Sequence, residues 1–169
     1  DLAKSYRSIA RHSADWFYRG PFALKTELWM SANGGLINRK DLASYKAKRR
    51  EPVRTIYRGH EIVGFPPPSS GGVHVAQILN ILEPFDLASM ALDSAEFVHL
   101  VTEAMRLAFA DRAHWLGDAD FAAVPKGLAS KKYARQLAKK IDPTKAAPVD
   151  AHSTPSNAGT NLFGKHTTH

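Results

Sequence analysis

A run of alternating residues that ends in three prolines constrains this fold more than any other sequence feature. Residues 53–58 alternate between apolar and polar or charged side chains, and a second extended segment, 60–65, follows a glycine. A period of two is typical of β-strands, and Arg58-Gly59 favours a tight turn between them. Proline cannot donate to a strand ladder, so Pro66-Pro67-Pro68 ends the second strand. The sequence therefore predicts a β-hairpin near 53–65.

Helical patterns lie on both sides of this hairpin. Residues 1–34 predict two or three helices, with a boundary at Gly20-Pro21 and a stop at 33–35, and 41–46 predicts another short one. Ser69 or Ser70 caps the next helix, whose expected core stripe is Val75, Ile78, Leu79 and Leu82. Apolar area on its other faces comes from Val73, Ala76 and Ile81, so this helix is expected to be deeply buried. A capping-box pattern at 93–96 begins a long helix that should end near Gly117, and a last helix spans about 130–141. The fold class is α+β, helix-rich with one hairpin.

Composition narrows the possible functions. The 169 residues are 44% apolar, which is enough for a core, and carry a net charge of +7. The basic residues lack interleaved aromatics or a reader motif, so we expect a solvated surface rather than nucleic-acid binding. There is no cysteine for a disulfide and no apolar run of the roughly 20 residues that span a bilayer. No signal peptide is recognisable in these residues.

The segment after Asp142 differs in composition from the rest. Prolines and glycines lie among alanine, serine, threonine and asparagine, with few large apolar residues. Such a segment buries too little surface to order itself. We therefore divide the chain into a helix-rich portion, 1–142, a flexible linker, 143–166, and a third short segment, 167–169.

Three groups of residues could carry chemistry, and a structural role is favoured for each. Ser69-Ser70-Gly71-Gly72 lacks the lysine of a phosphate loop and is not a G-x-S-x-G elbow, so a turn and helix cap is expected. His60-Glu61 begins like a zinc-protease motif, but Gly64 stands where the second histidine belongs, and no metal or other cofactor is predicted. Asp111, Asp118 and Asp120 are explained by capping and ion pairing.

Thr167 is the candidate nucleophile. A threonine that begins a new chain can use its own α-amino group as the base for its hydroxyl, whereas an amide nitrogen is not a base. The chemistry therefore requires cleavage of the His166–Thr167 bond.

Several motifs together resemble the gamma-glutamyltranspeptidase (glutathione hydrolase) family. The most specific is the unbroken run PPPSSGG at 66–72. The others are NGGLI at 33–37, DLASY at 41–45, YRG at 57–59, QILNILE at 77–83, FDL at 85–87, EA at 103–104, AFADR at 108–112, LGDADF at 116–121 and TTH at 167–169. They cover nearly the whole chain in order. The chain resembles the C-terminal part of the large subunit plus the first three residues of the small subunit.

The resemblance implies an N-terminal-nucleophile hydrolase with an αββα sandwich, made as a precursor that cleaves itself before Thr167. Thr167 would then move the γ-glutamyl group of glutathione or another donor to water, amino acids or peptides. Its partners would be the remainder of the large subunit and the small subunit, and its location periplasmic or secreted. The family's substrate arginine and oxyanion glycines match no residue here, so the fragment alone is expected to be inactive.

Two alternatives remain open at this point. One is a cephalosporin or glutaryl acylase of the same superfamily, which shares the scaffold and the nucleophile logic. The other is a non-catalytic helical interaction module.

Overall fold

The computed structural model describes residues 1–148, which fall into two compact units divided between Arg49 and Arg50. The first unit contains four helices: α1 (Leu2–His12), α2 (Asp15–Tyr18), α3 (Pro21–Ala32) and α4 (Arg39–Ser44). Pro21 takes the first helical position of α3, as predicted. The helix predicted at 41–46 begins two residues earlier. Asn38 and Asp41 explain this start, because each side chain accepts a hydrogen bond from the other's backbone N–H.

The second unit begins with the predicted hairpin. Strands β1 (Val53–Tyr57) and β2 (His60–Gly64) pair antiparallel, with Tyr57 opposite His60. The two turn residues, Arg58 and Gly59, have φ angles of 48° and 84°. Two successive positive φ values are the geometry that matches the twist of a two-residue hairpin. The hairpin prediction is therefore confirmed in position and in turn.

Helix α5 (Ser70–Leu82) follows the prolines and is capped by Ser69, whose Oγ accepts a hydrogen bond from Gly71 N at 3.3 Å. Its first turn packs directly on the end of β2. A Cβ placed on Gly72 would lie 2.7 Å from the carbonyl carbon of Gly64 and would also overlap Phe65 O. Glycine at position 72 therefore lets a helix and a strand meet backbone to backbone. The predicted turn and cap is confirmed.

This close approach predicts that Gly72→Ala lowers the free energy of unfolding of the full-length protein by about 2 kcal/mol or more, because backbone atoms must move to admit the methyl group. Chemical denaturation measures the loss. Gly71→Ala is the matched control, since its new Cβ would meet only Ser69 Oγ at 3.5 Å. Equal losses in the two variants would contradict the packing argument.

Three helices enclose the core of the second unit. Helices α6 (Ala95–Trp115) and α7 (Lys131–Ala138) pack against α5, with short 3-10 turns at Leu87–Ser89 and Lys126–Ala129. Ser94 caps α6 by accepting from Phe97 N, and α6 ends two residues before Gly117. The largest buried apolar side chains are Ile81, Leu82, Leu100, Trp115, Leu128, Tyr133, Leu137 and Ile141. The long and the last predicted helix are confirmed, the latter shorter at both ends.

The predicted core stripe of α5 is wrong in part. Val75 is 47% exposed, while Val73, Ala76 and Ile81 are buried. The same helix also buries the polar side chains of His74, Gln77 and Asn80. An apolar pattern cannot find such a face, because its polar members are stabilised by hydrogen bonds to other elements.

Apolar residues also remain exposed on the outer face of the hairpin, where Ile56 is 61% and Val63 is 51% accessible.

Among residues 1–148, no helix combines the length and apolar character needed to cross a bilayer. The predicted linker, 143–166, is described only as far as residue 148, and the predicted segment 167–169 lies outside the described residues.

Candidate functional site

Thr167 and the His166–Thr167 bond lie outside the described residues, so the role of Thr167 stays a prediction. The described part of the second unit, residues 50–148, precedes them in the sequence. Its polar side chains include two buried hydrogen-bonded groups and an ion cluster around Arg50. A cleft lies beside the ion cluster.

The first buried group joins all three helices of the second unit. His74 Nδ1 lies 3.0 Å from Gln77 Oε1 on α5, and Gln77 Nε2 donates to Asp111 Oδ2 on α6 at 2.6 Å. Tyr133 Oη on α7 donates to the same carboxylate oxygen at 2.6 Å. Every member is at most 4% exposed. Because a buried carboxylate is costly without donors, these hydrogen bonds specify how the three helices meet.

The direction of these hydrogen bonds defines which ring nitrogen of His74 donates to Gln77. Since the amide nitrogen of Gln77 donates to Asp111, its oxygen accepts from His74 Nδ1–H. His74 Nε2 is buried and has no hydrogen-bond partner among the described residues. Burial lowers the pKa of His74 below its usual 6.5; the Gln77 hydrogen bond opposes that shift, and the charge of Arg112 adds to it.

His74 therefore predicts acid sensitivity. Because its pKa is lower in the folded than in the unfolded state, the unfolded state binds more protons, and stability falls as pH drops below about 6.5. The denaturation midpoint of the full-length protein should be lower at pH 5 than at pH 8. His74→Gln should flatten this difference and His60→Gln, on the exposed hairpin, should not. A His74→Gln protein with unchanged pH dependence would refute the assignment.

The second buried group ties the hairpin to the helices. Thr55 Oγ1 on β1 donates to Asn80 Oδ1 on α5 at 3.0 Å, and Asn80 Nδ2 donates to the carbonyl oxygen of Ala129 at 2.9 Å. Asn80 thereby links β1, α5 and the turn that precedes α7.

The ion cluster contains two of the predicted acidic residues. Arg50 Nη2 lies 3.1 Å from Asp118 Oδ1 and 2.5 Å from Asp120 Oδ2. The hydrogen bond to Asp120 is the main cause that raises the pKa of Arg50, with smaller contributions from both charges. These two ion pairs hold the loop after α6 against the segment before β1. The ion-pairing interpretation of Asp118 and Asp120 is therefore confirmed. Asp111 does not join them, since it lies in the first buried group.

A cleft of about 480 Å³ lies beside the ion cluster in the second unit. Its walls are mostly apolar and include Val53, Val73, Val124 and Leu128, with Lys126 and Glu51 as further lining residues. The other two sequence motifs are Ser69-Ser70-Gly71-Gly72, in which Ser69 caps α5, and His60-Glu61. Glu61 pairs with Arg54 at 2.8 Å, and no cluster of three metal-ligating side chains occurs in the described part of the chain.

The fold is that of solved transpeptidases and acylases. It superimposes on gamma-glutamyltranspeptidase from Helicobacter pylori with a TM-score of 0.83 and 41% identity, over 96% of this chain and 47% of that chain. Cephalosporin acylase from Bacillus halodurans is similar at a TM-score of 0.74 and 31% identity, over 83% of this chain and 26% of that one.

Residues 1–169 match the family model described as Gamma-glutamyltranspeptidase, and the chain belongs to that family. It is 47% identical over 149 residues to the glutathione hydrolase proenzyme of Escherichia coli (strain K12), covering 88% of this chain and 26% of the relative. It is 48% identical over 135 residues to the acylase ACY 1 proenzyme of Pseudomonas sp. (strain SE83), covering 79% of this chain and 24% of the relative. The chain thus spans about a quarter of these curated relatives.

Proposed function

We propose that this chain is part of a self-processing gamma-glutamyltransferase and glutathione hydrolase. The observation that carries the proposal is the family match over residues 1–169, together with 47% identity to a glutathione hydrolase proenzyme. Both relatives are proenzymes, which supports a precursor that is cut into subunits.

Cleavage of the His166–Thr167 bond is the step that would create the active group. It frees the α-amino group of Thr167, which takes the proton of the threonine hydroxyl as Oγ attacks the γ-glutamyl carbonyl carbon of glutathione or a related donor. The tetrahedral intermediate collapses, the leaving amine takes the proton, and a γ-glutamyl ester on Thr167 forms. Water, an amino acid or a peptide then attacks the ester and restores the hydroxyl.

The described residues would contribute a rigid support. The two buried hydrogen-bonded groups hold α5, α6, α7 and the hairpin together, and Ile141 is the last buried residue of this core among residues 1–148. The remaining large-subunit residues and the small subunit are the proposed partners, and the periplasm or the exterior the proposed location.

The test is release of nitroaniline from γ-glutamyl-p-nitroanilide by the matured full-length protein. Release with transfer to added dipeptide supports both activities. A fully matured protein that releases none would refute the proposal.

An acylase is the second candidate, because the identity to acylase ACY 1 proenzyme is 48%, against 47% to the glutathione hydrolase proenzyme, and the cephalosporin acylase fold is similar. The same preparation should be assayed on a glutaryl cephalosporin. Hydrolysis of that amide without nitroaniline release would favour the acylase.

A further inference from the structure

Helix α7 has two faces of opposite character. Its inner face, with Tyr133, Ala134, Leu137 and Ala138, is buried in the core. Its outer face presents Lys132 and Arg135, with Lys139 at the C-cap, and all three are exposed. Spacings of three and four residues place these cations on one side of the helix. We refer to Lys132, Arg135 and Lys139 as the basic stripe.

The three cations of the basic stripe destabilise helix α7 at the positions they occupy. A cation in the first turn, such as Lys132, opposes the helix dipole, and like charges three or four residues apart repel each other. The first turn contains no acidic residue. Within residues 1–148, Lys132 and Lys139 lie in no ion pair. Glu83 binds Lys131 instead, with both carboxylate oxygens 2.7 Å from Nζ.

Glu83 neutralises positive charge mainly at the N-terminal end of α7, where Lys131 lies. Its hydrogen bond to Lys131 is the main cause that lowers the pKa of Glu83, and the charge of Arg135 contributes a smaller part. One carboxylate therefore faces two cations, and the surface of α7 keeps a net positive charge.

A groove of about 300 Å³ runs beside the basic stripe. Pro84, Phe85 and Ala138 supply its apolar lining, and Arg135 and Lys139 supply its charge. Arg58 adds a further cation nearby, since its Nη2 donates to Phe85 O at 2.7 Å. The surface therefore combines a short apolar lining with cations.

We propose that the basic stripe and this groove bind an acidic segment of another polypeptide. Carboxylates on one face of that segment, about 5–7 Å apart in a helix or strand, would meet Lys132, Arg135 and Lys139. An apolar side chain beside them on the same face would contact Phe85. Arginine suits this role because its planar guanidinium binds a carboxylate through two parallel hydrogen bonds.

The groove favours a polypeptide over a phosphate surface. A lipid headgroup layer or a nucleic-acid backbone would use the cations alone and leave the apolar lining uncovered. The apolar face of α7 is buried in the core, so the helix has none to insert into a bilayer. Nucleic-acid binding by stacking needs exposed aromatic faces, and Phe85, the aromatic residue of the groove, is half-buried.

The test measures binding of a labelled helical peptide to the matured full-length protein by fluorescence anisotropy. In this peptide glutamates recur every four residues and a leucine follows three residues after each, so that both residue types lie on one helical face. The triple variant Lys132→Glu, Arg135→Glu, Lys139→Glu should weaken binding at least about tenfold, and added salt should weaken wild-type binding. The matched control Lys4→Glu, Lys25→Glu, Lys40→Glu makes the same change of charge on exposed residues of the first unit and should bind like wild type. Thermal melting checks that both variants fold.

Three further arms decide the class of ligand. A glutamate–serine peptide should bind several-fold more weakly than the glutamate–leucine peptide, because it lacks the apolar side chain. Vesicles containing phosphatidylglycerol and a short single-stranded RNA should compete poorly. Equal binding by the two triple variants, equal binding of the two peptides, or tighter binding of vesicles or RNA would each overturn the proposal.

Discussion

Thr167→Ala in the full-length precursor is expected to abolish cleavage of the His166–Thr167 bond, leaving one uncut chain without γ-glutamyl transfer. Alanine has no hydroxyl, so neither the processing step nor the later acyl transfer has a nucleophile. Denaturing gel electrophoresis follows the conversion of precursor into two subunits, and N-terminal sequencing of the smaller one identifies the bond. The expected loss of nitroaniline release is at least about a thousandfold.

Two neighbouring substitutions make this test specific. Thr167→Ser keeps a hydroxyl and should still mature, more slowly, whereas Thr168→Ala leaves the proposed nucleophile in place and should still be cut. Maturation of Thr167→Ala into two subunits at the wild-type rate would show that another residue attacks.

Asp111→Ala should lower the free energy of unfolding by about 3 kcal/mol. The substitution leaves the buried donors of Gln77 and Tyr133 without their acceptor and opens a small cavity among α5, α6 and α7. Urea denaturation of the full-length protein measures the loss.

Tyr133→Phe separates the hydrogen bond from the packing, because it removes one donor and keeps the ring. A loss of about 1–2 kcal/mol is expected. Asp93→Ala, at an exposed position before α6, is the control and should change stability by less than about 0.5 kcal/mol. If Asp111→Ala were no more destabilising than Asp93→Ala, the buried group would not hold the helices together.

The hairpin could be predicted closely because its determinants are local. Alternation defines the strands, Arg58-Gly59 adopts the two positive φ angles of the turn, and proline ends β2. The start of α6 is local in the same sense, since Ser94 caps it three residues before Phe97. Such features depend on neighbours a few positions away, which a single sequence displays.

The buried face of α5 could not be predicted in this way. Gln77 and Asn80 look like surface residues in an apolar helix, yet their partners lie 34 and 49 positions away on α6 and before α7. The ion cluster of Arg50 spans 68 positions to Asp118. The local indication of this buried polar face was the presence of two amide side chains between apolar residues. An analysis of apolar spacing alone does not detect it.

The sequence by itself therefore determined the elements, the family motifs and Thr167 as the candidate nucleophile, because these depend on residue type and short spacing. The tertiary structure decided which face of α5 is inside, which acidic residue is buried and which are paired with Arg50, and which cations of α7 face solvent beside a groove. Those outcomes depend on where distant segments meet, and burial of a polar group is stable only when a partner from another element satisfies it.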